Sequence, residues 1–469
     1  MRKISALDSS ILDIDSAALG VPVCVLMNNA GTVIVDLLNS RFPNKRIAFV
    51  CGNGNNGGDG ITAAGMMDPE KVSVFLLRSR SSIRSDHIKD LLSKLSCETK
   101  AFSDFKQDEY DILVDCALGT GISGKVRDPY DSFIETANEF IGPVVSVDIP
   151  SGLGTDLSVI PDITITFHAT KEGMDENNSG EIIVADIGIP EKAEKQVGPG
   201  EMLRYPLPED ESHKGNNGRL LVIGGGPYFG APAMASLAAM RIGTDIVRVA
   251  APETCCHAIS SVSPVLIIVE LKGKELSPNH VPMLLELTKD HDAVLIGPGL
   301  GMSNNTRIAV REFVSKCKLP TVIDADGLTA LNNDPFCNPN VILTPHMKEF
   351  TCLGGLPNVD LEVSVSELSN RLKATVLLKG RTDIIAFKDK IRINTTGTSG
   401  MTSAGTGDVL SGIVAGLLSK GMTPFNAACL GAYISGKAGE KSFEEHSYGL
   451  IATDIIDNIS RVLKEGLGR

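Results

Sequence analysis

The glycine-rich turn Gly405-Thr406-Gly407-Asp408 has the residue types needed to bring a phosphate and a proton acceptor together. It leads into the apolar run VLSGIVAGLL (409–418), which predicts a helix. Glycines let backbone N–H groups approach phosphate oxygens, and a helix N-terminus favours negative charge. A carboxylate there can take a proton from a hydroxyl that attacks phosphorus. Asp408 is therefore a candidate catalytic base; the simpler alternative is a helix that begins with an Asp cap.

Other polar residues of the second half also follow apolar runs. The segment Lys379-Gly380-Arg381-Thr382-Asp383 joins two predicted strands and could hold the phosphates or the adenosine of a nucleotide. Asp324 and Asp326 could order a metal or a loop. For His346 the alternative to a ligand contact is an ordinary surface or core histidine.

The first half carries a different glycine turn, CGNGNNGGDG (51–60), again after a predicted strand. Its G-x-G-x-x-G spacing alone is weak evidence, because a dinucleotide fold also wants Asp or Glu at the end of the second strand. That strand ends here in Arg78-Ser79-Arg80, which could suit an extra phosphate or only solvent. The segment Asn55–Asp59 carries two side-chain amides and a carboxylate, which are more hydrogen-bonding groups than a loop that only binds phosphate needs. The alternative is a tight turn with Asn at positive φ.

Two later runs of the first half, VDCALGTG (114–121) and VDIPSG (147–152), each place an Asp at a strand end. Asp148 is the candidate acid or base, although a single Asp at a strand end is as often a helix cap. Asn56, Asp115 and Ser151 are hard oxygen donors, which suit an alkali or alkaline-earth cation better than a soft metal.

Short apolar runs alternate with helix-like segments along the whole chain, which predicts strands buried on both faces of parallel sheets. The predicted strands lie in the runs 46–52, 72–77, 112–118, 144–150, 163–169, 182–188, 219–225, 246–251, 265–271, 293–299, 321–327, 341–346, 375–380, 383–388 and 390–396. Residues 405–465 are expected to be helical. Ligands of open α/β sheets bind beyond the carboxyl ends of the strands, where these polar residues gather.

The segment 191–218 is rich in Pro, Gly and charge and marks a domain boundary. We place the first domain at 1–203 and the second at 204–469. The net charge of −13 disfavours nucleic-acid binding. No apolar stretch is expected to reach the ~20 residues of a membrane helix, and the ten cysteines show no C-x-x-C or zinc spacing. We expect a cytoplasmic protein with free thiols.

The first half resembles the N-terminal domain of NAD(P)H-hydrate epimerases through LDIDSAALGVPVCVLMNNAG (12–31), GNGNNGGDG, VDCALGTG and VDIPSG. The resemblance implies a Rossmann-like three-layer domain and a potassium ion bound by Asn56, Asp115 and Ser151. Asp148 would contact the altered nicotinamide ring. The residues that would bind the hydrated nucleotide are Asn55, Asn56, Gly57, Gly58, Asp59, Gly119, Thr120, Gly121, Ile122, Ser123, Gly124, Lys125 and Asp148.

The second half resembles the ADP-dependent NAD(P)H-hydrate dehydratases, which have a ribokinase-like fold, through SHKGNNGRLLVIGG, FGAPAMASLAAMRIG, GPGLG, DADGL, LTPHMKE, LLKG and GTGDVLSG. The resemblance implies Asp408 as the catalytic base and Mg²⁺ with ADP or ATP. The hydrated nucleotide would contact Ala231, Gly299, His346 and Asp408. The adenine nucleotide would contact Lys379, Gly380, Arg381, Thr382, Asp383 and Gly407. One departure is Gly243-Thr244-Asp245, where the family usually has Gly-Ala-Gly.

These features predict a bifunctional enzyme that interconverts the epimers of hydrated NADH and NADPH and dehydrates the S epimer. The alternatives are a ribokinase-like kinase for a small vitamin precursor with an N-terminal nucleotide-binding module, and a first half that serves only as a binding module. The expected partners are NADHX, NADPHX and ADP, with no nucleic acid and no membrane, and the chain is expected to form a homo-oligomer.

Overall fold

The computed structural model describes residues 3–122, 124–331 and 338–468. The chain forms two compact units, Met1–Ala193 and Glu194–Arg469. The division lies inside the Pro- and Gly-rich segment 191–218, ahead of the predicted boundary at 203/204. The reason is that Val197 and Met202 pack into the hydrophobic core of the second unit.

The N-terminal unit is built on a seven-stranded parallel sheet with the order β4-β3-β2-β5-β6-β7-β9. Its strands are β1 Lys3–Ile4, β2 Ile47–Cys51, β3 Val72–Leu76, β4 Glu98–Ala101, β5 Ile112–Cys116, β6 Val144–Val147, β7 Ile163–Phe167, β8 Thr170–Lys171 and β9 Glu181–Ala185. Its helices are α1 Ala6–Ala18, α2 Val23–Arg41, α3 Asn55–Gly65, α4 Asp86–Lys94, α5 Tyr130–Asn138, α6 Glu176–Ser179 and α7 Glu191–Lys195, which crosses the division. Strands β1 and β8 form a separate parallel pair.

Strand β2 shows why these runs are continuously apolar. Ile47, Phe49 and Cys51 belong to the core under α2, α3 and α4, whereas Ala48 and Val50 belong to the core under α5. Because both faces of the sheet are covered, each position along the strand is buried. The order places the β2–β5 boundary at the point where the chain reverses direction across the sheet, which is where such folds bind dinucleotides.

The C-terminal unit has a nine-stranded sheet with the order β12-β11-β10-β13-β14-β15-β16-β17-β18, in which β16, β17 and β18 pair antiparallel and the other pairs are parallel. Its strands are β10 Arg219–Ile223, β11 Ile246–Pro252, β12 Ile267–Leu271, β13 Ala293–Ile296, β14 Thr321–Ile323, β15 Val341–Leu343, β16 Thr375–Leu378, β17 Asp383–Phe387 and β18 Lys390–Asn394. Its helices are α8 Gly230–Arg241, α9 Glu253–Val262, α10 Val281–Leu287, α11 Asn304–Lys316, α12 Asp326–Leu331, α13 Met347–Cys352, α14 Leu361–Leu372, α15 Thr406–Ser419, α16 Pro424–His446 and α17 Ala452–Gly466.

Helices cover both faces of this second sheet as well. Helices α8, α9, α15, α16 and α17 enclose one core, and helices α10 to α14 enclose the other. The α/β class predicted for both units is confirmed, and each predicted strand run contains a strand.

One helix departs from the expectation that no apolar stretch is long enough to span a membrane. Within the described ranges, α2 passes that test by length and composition alone. Its buried face, which includes Leu26, Ala30, Ile34 and Leu38, packs into the core of the N-terminal unit. This packing is that of a core helix in an α/β layer.

Candidate active sites

A cavity of about 370 Å³ opens in the N-terminal unit where β2, β5, β6 and β7 end. The glycine turn at 51–60 forms one wall of this cavity. Helix α3 begins there at Asn55, and the N–H groups of its first turn, which have no partners within the helix, point outward. Gly52 and Gly57 must be glycines, since a Cβ would lie 1.9 Å from the Ala117 carbonyl oxygen and 2.0 Å from the Gly52 carbonyl oxygen, respectively. Their absence of side chains lets the β2 and β5 loops touch.

The structure brings most of the residues predicted for this site together. The predicted residues that line the cavity are Asn55, Asn56, Asp59, Gly119, Thr120, Gly121, Ile122 and Asp148. Gly57 and Gly58 are buried in the first two turns of α3. Gly124 and Lys125 are exposed and do not line the cavity, and Ser123 lies outside the described residues.

Asp148 is held in place from several sides. Its backbone is in the left-handed region at φ +62°, a conformation that costs energy for a residue with a side chain. The Lys171 ammonium forms an ion pair with Asp148 Oδ1 and also donates to the Phe167 carbonyl oxygen at 2.8 Å. The Phe167 N–H donates to the same carboxylate at 3.3 Å. Both side chains line the cavity, but only 2% of the Lys171 side chain is exposed, compared with 18% for Asp148, so the carboxylate is the more accessible of the two.

Two further carboxyl groups line the same cavity, Asp13 on α1 and Asp59 on α3. Burial raises the pKa of Asp13 to about 6, to which the charge of Asp148 adds. Burial, together with the charges of Asp148 and Asp13, raises the pKa of Asp59 well above its usual range. The cavity thus combines an ion-paired carboxylate with two carboxyl groups whose pKa values are raised above the usual range. Asp13 and Lys171 were not predicted from the sequence.

Asn56, Asp115 and Ser151 meet below this cavity. Ser151 Oγ donates to Asp115 Oδ1 at 2.5 Å, and Asn56 Nδ2 donates to the Leu118 carbonyl oxygen at 2.9 Å. Burial raises the pKa of Asp115, although the hydrogen bonds from Ser151 oppose the shift. Asn56 Oδ1 is buried and has no hydrogen-bond partner among the described residues. A buried oxygen without a donor is an incomplete arrangement that a cation would complete.

In the C-terminal unit, Asp408 lies in the first turn of α15, as predicted. Gly405 caps this helix with φ +93°, which a residue with a Cβ adopts only at a cost. The Lys379 ammonium reaches the same helix end, because a Cβ at Gly407 would lie 3.3 Å from Lys379 Nζ. Free N–H groups, an ammonium and a carboxylate therefore converge at the start of α15.

The charge around Lys379 is predominantly negative. Lys379 Nζ is 2.7 Å from Asp324 Oδ1, and Asp326 Oδ2 accepts from the Gly301 N–H at 2.8 Å. Burial raises the pKa of Asp408 to about 7, and Asp324 adds to the shift whereas Lys379 opposes it. Burial also raises the pKa of Glu349. A base with a pKa near 7 is well matched to proton transfer at neutral pH.

The remaining predicted residues lie at neighbouring strand ends. Gly380, Arg381 and Thr382 form the exposed turn between β16 and β17. Asp383 shapes that turn, because Oδ1 accepts from the Gly380 N–H at 3.0 Å and Oδ2 from Asn394 Nδ2 at 3.0 Å. Its carboxylate is therefore occupied by the protein itself.

Besides Asp408, three residues were predicted to contact the hydrated nucleotide in this unit, and they lie in the segments that follow β10, β13 and β15. Ala231 is in the first turn of α8, and Gly299 packs closely on the Tyr228 backbone at φ +68°. His346 caps α13 through Nδ1, and 53% of its side chain is exposed. The cap fixes the ring, and its other nitrogen, Nε2, lies 3.5 Å from Glu349 Oε1.

The unusual Gly243-Thr244-Asp245 segment lies elsewhere, at the amino ends of the strands. Asp245 Oδ2 accepts from the N–H groups of Gly215 at 2.8 Å and Asn217 at 3.0 Å. The aspartate therefore anchors the loop before β10 and does not reach the catalytic edge.

Within the described ranges, no group of three His, Cys, Asp or Glu side chains is placed to hold a metal ion. A cation at Asn56 would therefore be bound by amide, hydroxyl and backbone oxygens together with one carboxylate, and a cation at Asp408 would have to arrive with phosphate ligands.

Comparison with known proteins matches both units. The family described as NAD(P)H-hydrate dehydratase matches residues 220–461, and the family described as YjeF-related protein N-terminus matches residues 23–173. The bifunctional NAD(P)H-hydrate repair enzyme Nnr of Methanothermobacter thermautotrophicus is 41% identical over 492 residues, covering 98% of this chain and 95% of that protein. The Archaeoglobus fulgidus enzyme of the same name is 37% identical over 470 residues, covering 99% of each chain. A solved structure described as ADP/ATP-dependent NAD(P)H-hydrate dehydratase from Bacillus subtilis, co-crystallized with ATP/Mg²⁺, is 27% identical with a TM-score of 0.50, covering 58% of this chain and 98% of that chain.

Proposed function

Since the chain belongs to the family of bifunctional NAD(P)H-hydrate repair enzymes, we propose that its N-terminal unit interconverts the epimers of hydrated NADH and NADPH. The C-terminal unit then dehydrates the S epimer with an adenine nucleotide. The observation that carries this proposal is the pair of carboxylates, Asp148 and Asp408, each at the carboxyl edge of its own sheet beside groups suited to a nucleotide.

In the N-terminal unit, the substrate is a hemiaminal, because hydration puts a hydroxyl on the ring carbon beside the ring nitrogen. The nitrogen lone pair assists departure of that oxygen, which can return on either face. Asp148 would give a proton to the departing oxygen, which leaves as water, and would take a proton back when water adds to either face; the Lys171 ammonium would keep the Asp148 side chain in position. Asp59, whose pKa is raised by burial, lines the same cavity and would form a hydrogen bond with the substrate. The turns at Asn55–Gly58 and Gly119–Ile122 would hold the nucleotide phosphates with backbone N–H groups.

Potassium fits the residues below this cavity. Asn56, Asp115 and Ser151 would hold it, and the unpartnered Asn56 Oδ1 is the main support. When bound, the ion would supply a positive charge beside the substrate phosphates. We expect epimerisation to require K⁺ and to fall on replacement by tetramethylammonium, with Asn56→Ala weakening K⁺ dependence. Equal rates in both salts would contradict this assignment.

In the C-terminal unit, Asp408 would take the proton of the substrate hydroxyl as its oxygen attacks the terminal phosphorus of the nucleotide. The terminal phosphoryl group is transferred to the substrate oxygen, and the leaving group is AMP when ADP is the donor, or ADP when ATP is the donor. The phosphorylated carbon expels phosphate with help from the ring nitrogen, and loss of a proton from the neighbouring ring carbon restores the dihydropyridine. The N–H groups at Thr406–Asp408 and the Lys379 ammonium would stabilise the phosphoryl charge.

Magnesium would accompany the nucleotide. Its two positive charges fit the excess of carboxylates around Lys379, namely Asp324, Asp326, Glu349 and Asp408. When bound, Mg²⁺ neutralises phosphate charge. Arg381 and Thr382, exposed on the β16–β17 turn, would contact the adenine nucleotide.

ADP preference over ATP, a cytoplasmic location and a homo-oligomeric state remain our predictions; within the described ranges the free thiols agree with a reducing compartment.

The direct test supplies purified chain with mixed epimers of NADHX, Mg²⁺ and either ADP or ATP. Recovery of reduced-nicotinamide absorbance from both epimers is the expected result. Recovery from one epimer only would remove the proposed role of the N-terminal unit. Consumption of nucleotide with a stable phosphorylated product would instead indicate a small-molecule kinase.

A further inference from the structure

A second cavity of the N-terminal unit, about 750 Å³ in volume, takes no part in the chemistry proposed above. It lies beyond the carboxyl ends of β3 and β4, and β3 is the neighbour of β2, the strand that leads into the glycine turn. Its position is therefore the continuation of the first cavity along the same sheet edge.

The rim of this second cavity is cationic. Arg78, Arg80 and Lys100 line it, together with one carboxylate, Asp128. Lys100 is paired with Glu98 at 2.7 Å, and Asp128 Oδ1 accepts from Ser132 Oγ at 3.3 Å. Among the described residues, neither Arg78 nor Arg80 forms an ion pair, and both are exposed. The two guanidinium groups are therefore available to an anion.

The inner wall of the cavity suits a flat aromatic ring. Phe102 and Phe105 line it, are half-buried, and stack on each other with centroids 5.7 Å apart. Hydroxyl groups of Ser103, Ser132 and Thr136 stand nearby. Half-exposed phenylalanine rings stabilise a nucleobase by burying its apolar faces, and hydroxyls can bind its edge or a ribose.

The two cavities adjoin. Arg78 lies over the ring of Tyr130 at 5.5 Å, and Tyr130 lines the first cavity. Asn53, which also lines the first cavity, donates to Ser82 Oγ at 2.7 Å and so joins it to the Arg78–Ser82 segment. Three strand spacings, or roughly 14 Å, separate β3 from β6, the strand that Asp148 directly follows. An extended dinucleotide with its altered ring at Asp148 would reach β3 with its adenosine.

The side chains that follow β3 determine whether the site prefers a ribose with a free 2′-hydroxyl or one with a 2′-phosphate. The order β4-β3-β2-β5-β6-β7 is the dinucleotide-binding order, in which β3 is the strand whose end meets the ribose. An Asp or Glu at that end binds the ribose hydroxyls and repels a phosphate, whereas an Arg accommodates a 2′-phosphate. Here the chain continues from Leu76 through Leu77 to Arg78 and Arg80.

We propose that the second cavity binds the adenosine end of the epimerase substrate and that Arg78 and Arg80 bind its ribose 2′-phosphate, so that the epimerase prefers NADPHX to NADHX. This proposal rests on the function proposed for the N-terminal unit. Two charge-assisted hydrogen bonds to a phosphate that NADHX lacks would favour NADPHX by roughly 10- to 100-fold in KM.

The test uses the full chain without added ADP or ATP, so that the C-terminal reaction is idle. Conversion of the R epimers of NADPHX and NADHX is followed by chromatography and corrected for the uncatalysed rate. We expect Arg78→Gln/Arg80→Gln to raise KM for NADPHX roughly 10- to 100-fold and KM for NADHX by less than about 3-fold. Arg84→Gln is the matched control, because Arg84 is exposed and lines neither cavity; it should change neither value.

A second readout is independent of turnover. Adenosine 2′,5′-bisphosphate should bind the N-terminal unit of the full chain more tightly than 5′-AMP, with the difference abolished in the double variant. Binding of the bisphosphate with this pattern but no epimerisation would overturn the proposed function and leave the second cavity assigned. Equal KM values for NADPHX and NADHX in the unchanged chain, or equal losses in the double variant, would overturn the inference about Arg78 and Arg80.

Discussion

Each unit pairs a lysine with carboxylates at the carboxyl edge of its sheet, buried in the case of Lys171 and half-buried in the case of Lys379, but the lysines have different partners. In the N-terminal unit, Lys171 forms its ion pair with Asp148, the proposed catalytic group. In the C-terminal unit, Lys379 forms its ion pair with Asp324. Asp408 is therefore free of an ion pair with the lysine, and its pKa is raised to about 7. The Asp148 carboxylate is instead ion-paired with the Lys171 ammonium.

This difference matches what each proposed reaction demands. Epimerisation returns the oxygen it removes, so the proton passes back and forth over one turnover and the carboxylate mainly needs a fixed position. Phosphoryl transfer takes a hydroxyl proton that does not return to the same oxygen, so the base needs a pKa near the working pH. A lysine and carboxylates therefore serve two chemistries. In the N-terminal unit the lysine pairs with the catalytic carboxylate, Asp148, whereas in the C-terminal unit it pairs with Asp324, a neighbour of the catalytic Asp408.

The largest expected effect is on the C-terminal unit. Asp408→Asn keeps the shape of the side chain but removes the proton acceptor, so recovery of NADH from S-NADHX should fall by roughly 10²- to 10⁴-fold. Nucleotide affinity should change little, because the N–H groups of Thr406–Asp408 remain. Epimerisation, measured by chromatography on the same preparation, is the internal control. Normal NADH recovery by this variant would remove Asp408 as the base.

The matching change in the N-terminal unit should have a comparable or smaller effect. Asp148→Asn should slow interconversion of the epimers by roughly 10²- to 10³-fold, because the acceptor is lost and Lys171 is left as a buried cation without its partner. Dehydration of pure S-NADHX should continue. Loss of both activities in a variant that circular dichroism shows to be folded would contradict the assignment of one independent reaction to each unit.

The sequence was sufficient to predict the strands, since both sheets are covered on each face and their central strands read as uninterrupted apolar runs. It was insufficient for β4, because Glu98–Ala101 is a half-exposed edge strand with the sequence ETKA and shows no apolar run. It also missed β1 and β8, because a two-residue strand is too short to show any periodicity. It also did not show that β16, β17 and β18 pair antiparallel, although the four-residue connection at 379–382 is too short for a crossover helix.

The site was predictable where residues adjoin a glycine turn and unpredictable where they do not. Asp13 lies on α1, and Lys171 lies on the two-residue strand β8, far in sequence from any glycine turn. Their place beside Asp148 depends on the packing of α1 and on the β1–β8 pair. One available signal was a lysine directly after the apolar run ITITFHAT, where burial demands an anionic partner.

The pH dependence offers a finer test of the contrast between the lysines. Because Asp408 must be deprotonated to act, kcat/KM for dehydration should rise with pH through about 7. Asp324→Asn removes a charge that raises this pKa and frees Lys379, which lowers it. The inflection should therefore move to lower pH by about one unit, equivalent to ~1.4 kcal/mol. An unmoved inflection would show that burial alone sets the pKa; epimerisation should keep its own pH profile in both proteins.

The smallest effect is expected at the opposite edge of the C-terminal sheet, where Asp245 replaces the family's usual glycine. Its carboxylate accepts from the N–H groups of Gly215 and Asn217, so Asp245→Ala should free the loop 213–217 at a cost of about 1–2 kcal/mol. Amide hydrogen exchange should quicken in that loop, while both catalytic rates stay within about 2-fold. Asp457→Ala, an exposed carboxylate of α17 whose partner Arg241 is 3.5 Å away, should leave the exchange of the loop unchanged. A large loss of dehydration in Asp245→Ala with intact protection of the loop would mean that this edge of the sheet takes part in catalysis, and the contrast between anchoring and catalytic carboxylates in this unit would no longer hold.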